Sequence, residues 1–117
     1  MQVKEEGIKT IKLKGGIEPK RDVELVKQIR NAVGPMQIAV DANQGYATPK
    51  AAVQTIKAME EYGILYMEQP VEGIDAMGQV AESVATPIMA DESAWTPQDV
   101  LEIIRKRAAD IISLYTT

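Results

Sequence analysis

The feature that most constrains this 117-residue chain is a strict alternation of short apolar runs with longer amphipathic segments. Runs of about four or five apolar residues are typical of buried strands, and segments of about ten or more residues at helical spacing are typical of helices. We expect strands at 10–14, 38–42, 65–68, 88–91 and 111–115, and helices near 19–32, 49–62, 74–84 and 97–107. Such alternation implies right-handed crossovers and a parallel sheet.

The ends of the predicted helices carry recognisable signals. Thr48-Pro49 and Thr96-Pro97 each place a capping hydroxyl before a proline at the first helical position. Gly63 follows the second predicted helix, where a residue with left-handed backbone is expected. These signals support the helix boundaries independently of the apolar pattern.

One polar residue falls at or near the end of each predicted strand. These residues are Lys14, Asp41, Glu68, Asp91 and Tyr115, separated by 27, 27, 23 and 24 residues. Each interval is about one strand–helix unit. In a (β/α) barrel the active site lies at the carboxyl ends of the strands. The pattern therefore predicts an α/β fold, a partial TIM-type (β/α) barrel of about five parallel strands and four helices.

Alternation within the strands predicts which side chains face the barrel interior. Lys12 and Lys14 share one face of the first strand, and Ile11 and Leu13 share the other. The lysines should face the interior, while Ile11 and Leu13 should pack against helices. On the inner face, the apolar residues Ala39, Met89 and Ile111 should stay partly wet without an opposing barrel wall.

Composition excludes several other classes of protein. A formal net charge of −4 argues against binding to a nucleic-acid backbone. The chain has neither Cys nor His, so acid–base chemistry would fall to Lys, Tyr, Asp or Glu. No apolar run approaches the length of a membrane span. We expect a cytoplasmic protein with a small-molecule partner and no nucleic-acid or membrane partner.

Four short motifs resemble, in their order and spacing, those of the enolase superfamily. Within that superfamily they are most similar to the mandelate racemase and muconate lactonizing enzyme group. They are Lys12-Leu13-Lys14-Gly15-Gly16, Asp41-Ala42-Asn43, Glu68-Gln69-Pro70 and Asp91-Glu92-Ser93. The resemblance implies that residues 1–117 are a single segment corresponding to strands two to six of the superfamily's C-terminal barrel. It implies a magnesium-dependent enzyme (an isomerase or lyase) that abstracts the proton alpha to a substrate carboxylate through a metal-stabilised enolate, as a racemase or epimerase, dehydratase or cycloisomerase.

The resemblance also assigns roles to individual residues. Asp41, Glu68 and Asp91 would be the Mg²⁺ ligands, with Asn43 and Glu92 nearby in support and Glu92 as the alternative third ligand. Lys14 would be the proton-abstracting base, and Lys12 would help to orient it. Relatives often have a lysine, or an aspartate paired with histidine, where this chain has Tyr115. Tyr115 is therefore a weaker catalytic candidate.

Other interpretations of the same residues remain open. The acids could be helix caps or salt-bridged strand ends, and the two lysines could guard an exposed sheet edge. The chain could also be a non-catalytic five-stranded βα module, although such receiver-like domains cluster their acids differently.

The length of the chain predicts an incomplete barrel, because a complete one usually needs about 250 residues. Five strands cannot close a barrel, and the superfamily's N-terminal capping domain would be absent. We therefore expect a barrel fragment that associates with itself, as a homo-oligomer through exposed sheet edges, and has little activity alone.

Overall fold

The computed structural model describes residues 9–114, which form one parallel sheet covered by helices. The strands are β1 (Thr10–Lys14), β2 (Gln37–Asp41), β3 (Ile64–Glu68), β4 (Ile88–Ala90) and β5 (Ile111–Ile112), in the order β1-β2-β3-β4-β5. The helices are α1 (Pro19–Val33), α2 (Pro49–Glu60), α3 (Ile74–Ser83) and α4 (Pro97–Lys106). Sequential parallel order with a helix between each pair of strands is the arrangement of a (β/α) barrel wall, so the predicted partial barrel is confirmed.

The element boundaries differ from the predicted ones by only a few residues. The strand β2 begins and ends one residue earlier than expected, and β4 ends at Ala90, before Asp91. The strand β5 is shorter than expected, and Tyr115 lies outside the described residues.

The caps explain why the helices begin where they do. Thr48 accepts a hydrogen bond from the amide of Ala51 at 3.1 Å. Thr96 and Asp99 form a reciprocal capping box at the start of α4. These side chains satisfy amides that the first helical turn leaves without partners. The cap of α1 was not predicted: Glu18 accepts from the amides of Lys20 and Arg21.

The two faces of β1 are distinct, as the alternation predicts. Leu13 lies in the hydrophobic core and Ile11 packs against it, whereas Lys12 and Lys14 are exposed. The same parity holds in β2, where Ile38 and Val40 belong to the core. The core therefore lies between the sheet and the helices, and the lysines lie on the opposite side of the sheet.

An irregularity in the pairing of β2 with β3 determines where Glu68 points. Ile38 pairs with Ile64, but two residues later Val40 pairs with Met67, so β3 contains one extra residue. Without the extra residue Asp41 would pair with Met67, and Glu68 would share the face of Ile64. With it, Asp41 pairs with Glu68. The irregularity thus brings these two acids to one face of the sheet.

The sheet is open among the described residues, and apolar side chains are exposed near one edge. Exposed fractions are 56% for Leu101, 61% for Ile104 and 37% for Ile111.

On the inner face Met89 is partly buried, as expected, but Ala39 is fully buried and the expectation for it was wrong. No helix in residues 9–114 is long and apolar enough to cross a membrane.

Candidate active site

The strand ends bring the predicted site residues to one end of the sheet. Lys14 pairs in register with Asp41, and Asp41 pairs with Glu68. Glu68 pairs with Met89, and Asp91 directly follows the last residue of β4. Lys14, Asp41, Glu68 and Asp91 therefore lie at the carboxyl ends of β1 to β4, at one end of the sheet.

Lys12 forms an ion pair with the largely buried carboxylate of Glu68. Its Nζ lies 2.5 Å from Glu68 Oε1, and the Glu68 side chain is 4% exposed. This pairing raises the pKa of Lys12 above its ordinary 10.5, although partial burial opposes the shift. Apart from the ion pair, Glu68 Oε1 has no hydrogen-bond partner among the described residues. This ion pair agrees with the alternative interpretation of Glu68 as a salt-bridged acid at a strand end. It also shows that Glu68 Oε1 lies beside a positive charge, that of Lys12.

A chain of side chains connects Lys14 to the loop after β4. Lys14 Nζ donates to Asn43 Oδ1 at 3.3 Å, and Asn43 Nδ2 donates to Glu92 Oε2 at 3.1 Å. Asn43 has a positive φ of 47°, a conformation that asparagine tolerates better than most residues. Asn43 therefore links Lys14 to Glu92 by two hydrogen bonds.

The donor set suits a hard divalent cation. Asp91 Oδ1 and Glu92 Oε1 are buried oxygens without hydrogen-bond partners in the described residues, whereas Glu68 Oε1 has the Lys12 ion pair. Leaving buried carboxylate oxygens unpaired is costly, and a bound cation would satisfy them. Carboxylate oxygens are also the ligands that Mg²⁺ prefers. The types of donor atom therefore fit the metal that the resemblance implies.

The carboxylates do not yet meet at one point. Within residues 9–114 no group of three acids is gathered closely enough to hold a metal ion. Two of the three acids have other partners: Lys12 engages Glu68 Oε1, and the Asn43 amide donates to Asp41 Oδ1 at 3.0 Å. The expectation that Asp41, Glu68 and Asp91 gather around one Mg²⁺ is therefore wrong for the described residues.

Behind β1 lies a buried polar cluster that sequence reasoning missed. Asp22 is 1% exposed, and its Oδ2 accepts from the Gly16 amide and from the Tyr46 hydroxyl, both at 2.8 Å. Burial, followed by the hydrogen bond to Asp22, raises the pKa of Tyr46 above its ordinary 10.0. Arg21 joins Asp22 Oδ1 at 3.0 Å and also donates to the backbone carbonyl of Lys14 at 3.2 Å. The cluster therefore fixes the backbone around Lys14.

The glycines beside Lys14 allow two loops to touch. A Cβ added to Gly16 would lie 2.0 Å from the Ala42 carbonyl oxygen, and one added to Gly45 would lie 2.0 Å from the Gly16 oxygen. Only residues without side chains permit this approach. The Gly15-Gly16 pair of the motif thus packs the segment after Lys14 onto the segment after Asp41.

Gln69 is a second residue whose part sequence reasoning missed. It belongs to the Glu68-Gln69-Pro70 motif, but its sequence position does not reveal its contacts. The side chain is fully buried and contacts the loop after β4. For Asp22, a first-turn acid after a glycine pair was the only available signal.

The chain is similar along its whole length to proteins of a known family. The whole chain, residues 1–117, matches the family described as Enolase C-terminal domain-like. A hydrophobic dipeptide epimerase of Enterococcus faecalis is 43% identical over 111 residues, covering 92% of this chain and 31% of that protein. An arabinonate dehydratase of Saccharolobus solfataricus is 39% identical over 110 residues, covering 91% and 29%. A muconate cycloisomerase of Rhodococcus opacus is 36% identical over 112 residues, covering 92% and 30%.

Solved structures of similar proteins include complexes with metal and substrate. The dipeptide epimerase from Enterococcus faecalis complexed with Mg and the dipeptide L-Leu-L-Tyr superposes with a TM-score of 0.86 at 42% identity, covering 91% of this chain and 30% of that one. A substrate-liganded L-Ala-D/L-Glu epimerase from Bacillus subtilis gives 0.87 at 39% identity, covering 91% and 31%. The chain thus spans about a third of the length of the relatives it matches. On the match of its entire length, the chain belongs to the Enolase C-terminal domain-like family.

Proposed function

We propose that this chain forms part of a magnesium-dependent active site that removes the proton alpha to a substrate carboxylate. The observation that carries the proposal is the register of the strand ends. It places Lys14 beside Asp41 and Asp41 beside Glu68 on one face of the sheet. A base and anionic metal ligands on adjacent strands are what abstraction of a weakly acidic carbon-bound proton requires.

Asp41, Glu68 and Asp91 are the proposed Mg²⁺ ligands, and Glu92 is the alternative third ligand. When bound, Mg²⁺ would supply positive charge against the substrate carboxylate as negative charge develops during proton removal. Glu68 already attracts a cation, since Lys12 is paired with it. The free oxygens of Asp91 and Glu92 support the same proposal.

Lys14 is the proposed base. Its amine must reach the substrate in the unprotonated form, accept the alpha proton and return it to the same or a different atom. Asn43 holds Nζ at 3.3 Å, and the Arg21 contact fixes the lysine's carbonyl. Both contacts restrict where the amine can go, and such positioning contributes to proton transfer. Tyr115 remains the weaker proposed catalytic residue, on the face of the substrate opposite Lys14.

The proposed substrate is a small carboxylate. Relatives are named for dipeptides, arabinonate and muconate, all of which carry a carboxylate group. We test dipeptides first, because the Enterococcus faecalis and Bacillus subtilis proteins are epimerases. We also propose a cytoplasmic location and self-association through sheet edges. The latter rests on the exposed apolar residues of α4 and β5.

The test is proton exchange in D₂O. The protein encoded by the full reading frame that contains these residues is incubated with Mg²⁺ and a panel of dipeptides and sugar acids. Loss of the α-proton signal is followed by NMR. We expect exchange with at least one substrate. Lys14→Met should lower its rate by at least about 100-fold, within the usual contribution of a general base.

The matched control is Lys50→Met, which removes an exposed lysine from the first turn of α2. Its exchange rate should stay within about twofold of the unsubstituted protein, since surface substitutions rarely perturb a remote site. The proposed base is wrong if Lys14→Met exchanges as fast as Lys50→Met. The proposed reaction is wrong if no carboxylate of the panel exchanges.

A further inference from the structure

Gln69 is a fully buried amide whose hydrogen-bonding capacity is used completely. Its Nε2 donates to the Val71 carbonyl at 2.9 Å and to Ser93 Oγ at 2.7 Å. Its Oε1 accepts from the amides of Asp91 at 2.9 Å and Ser93 at 3.2 Å. An amide offers two donors and two acceptor positions, so all four are occupied.

The backbone of Gln69 adds connections to two neighbouring segments. Its amide donates to the Met89 carbonyl at 2.8 Å, and its carbonyl accepts from the Gln44 amide at 2.7 Å. Gln69 therefore contacts the three segments that follow β2, β3 and β4. These segments carry the proposed ligands Asp41, Glu68 and Asp91.

The backbone conformation of Gln69 is unfavourable for its residue type. Its φ is 43°, in the left-handed region that residues with side chains rarely occupy. Such a conformation persists only where surrounding contacts hold it, and these outliers concentrate at functional sites. The six hydrogen bonds of Gln69 are those contacts.

A comparison of two acids indicates what Gln69 does for the site. Asp41 Oδ1 accepts from the amide two residues later, that of Asn43 at 3.0 Å. The corresponding amide for Asp91 is that of Ser93, and Gln69 Oε1 accepts from it instead. Asp91 Oδ1 is buried and has no hydrogen-bond partner in the described part of the chain. Gln69 thus takes the local partner of the Asp91 carboxylate and leaves that oxygen free.

We propose that Gln69 is a positioning residue of the divalent-metal site. It fixes the separation of the segments bearing Asp41, Glu68 and Asp91, and it keeps the Asp91 carboxylate available to a cation. This inference rests on the proposed function, because it takes the metal site as given. Contacts that orient metal ligands commonly change metal affinity by about 10- to 100-fold when they are removed.

The test is Gln69→Asn in the 117-residue chain. Asparagine keeps the amide and tolerates the left-handed backbone, but it is one methylene too short to reach Asp91 and Ser93. Hydrogen exchange of the Asp91 and Ser93 amides is measured by NMR, and Mn²⁺ affinity is measured from the EPR signal of free Mn²⁺. We expect at least about 10-fold faster exchange at both amides and at least about 10-fold weaker Mn²⁺ binding.

The matched control is Gln79→Asn on the exposed surface of α3, for which both quantities should stay within about twofold of the unsubstituted chain. Unchanged amide exchange in Gln69→Asn, or an unchanged Mn²⁺ dissociation constant, overturns the inference. If the unsubstituted chain binds no Mn²⁺, the metal site is refuted, and with it the role of Gln69 towards a metal. The amide exchange still decides whether Gln69 holds the segments together.

A second variant covers the case in which Gln69→Asn does not fold. Ser93→Ala removes only the hydroxyl that accepts from Gln69 Nε2. It should weaken Mn²⁺ binding about threefold or more and speed exchange at the Asp91 amide, because the Gln69 side chain is then held less firmly. No change in either quantity overturns the inference.

Discussion

Replacing Asp22 by Asn tests the cluster that holds the backbone of Lys14. The change preserves side-chain shape but removes the negative charge. Asp22 Oδ2 accepts two hydrogen bonds at 2.8 Å, from Gly16 and Tyr46, and a longer one at 3.3 Å from Ile17. Its Oδ1 faces Arg21 at 3.0 Å. If the asparagine amide keeps its oxygen where Asp22 Oδ2 lies, its NH₂ group points at the Arg21 guanidinium. Two hydrogen-bond donors then face each other.

The magnitude follows from those contacts. A hydrogen bond to a charged group contributes about 1.5–3 kcal/mol and a neutral one about 0.5–1.5 kcal/mol, so each of the two short bonds weakens by about 1 kcal/mol. Loss of the Arg21 partner adds at most about 1 kcal/mol, because the Arg21 side chain is 44% exposed and screened by water. We expect Asp22→Asn to lower the free energy of unfolding by about 2–3 kcal/mol.

Urea unfolding followed by circular dichroism measures this change at one fixed protein concentration. With a urea dependence of about 1–3 kcal/mol per molar, the midpoint should fall by about 0.7–3 M. Asp75→Asn is the matched control, since Asp75 pairs with Lys106 while 78% exposed, and its midpoint should barely move. Equal midpoints for the two variants would refute the reasoning about Asp22.

Two further predictions concern pH and association. The raised pKa of Tyr46 keeps the phenol protonated in the folded state above its ordinary 10.0, so unfolding releases a proton and stability falls as pH rises through about 10. Between about pH 9 and pH 11 the urea midpoint of Tyr46→Phe should therefore fall less steeply with pH than that of the unsubstituted chain. An equal pH dependence of the two midpoints would contradict the assignment to Tyr46. The chain should associate with itself in light scattering, and Ile104→Lys on exposed α4 should reduce association more than Ile17→Lys; a monomer at all concentrations would contradict this.

Much of the fold could be predicted because its signals are local. The Thr-Pro pairs start α2 and α4 by satisfying amides within the same turn, so a few adjacent residues contain the whole interaction. The strand-end positions of Lys14, Asp41 and Glu68 follow from the spacing of repeated units. Leu13 and Lys12 separate onto two faces because side chains alternate along any strand.

The remaining features depend on contacts between distant residues. The extra residue in β3 reverses the face of Glu68, and it is visible only in the pairing with β2. Asp22 reads as an ordinary first-turn acid until the fold brings Tyr46 to it, 24 residues later. Gln69 resembles any polar loop residue, because its partners Asp91 and Ser93 lie beyond the next helix.

The most direct test of the proposed site is where a paramagnetic divalent ion binds. Mn²⁺ is titrated into ¹⁵N-labelled chain, and broadening of amide signals is mapped along the sequence. The proposed site predicts that broadening is concentrated in the segments after β2, β3 and β4, around Asp41, Glu68 and Asp91. Asp41→Asn should weaken Mn²⁺ binding there by at least about 10-fold. Broadening scattered over exposed acids such as Glu24 and Glu72, or an unchanged focus in Asp41→Asn, would contradict it.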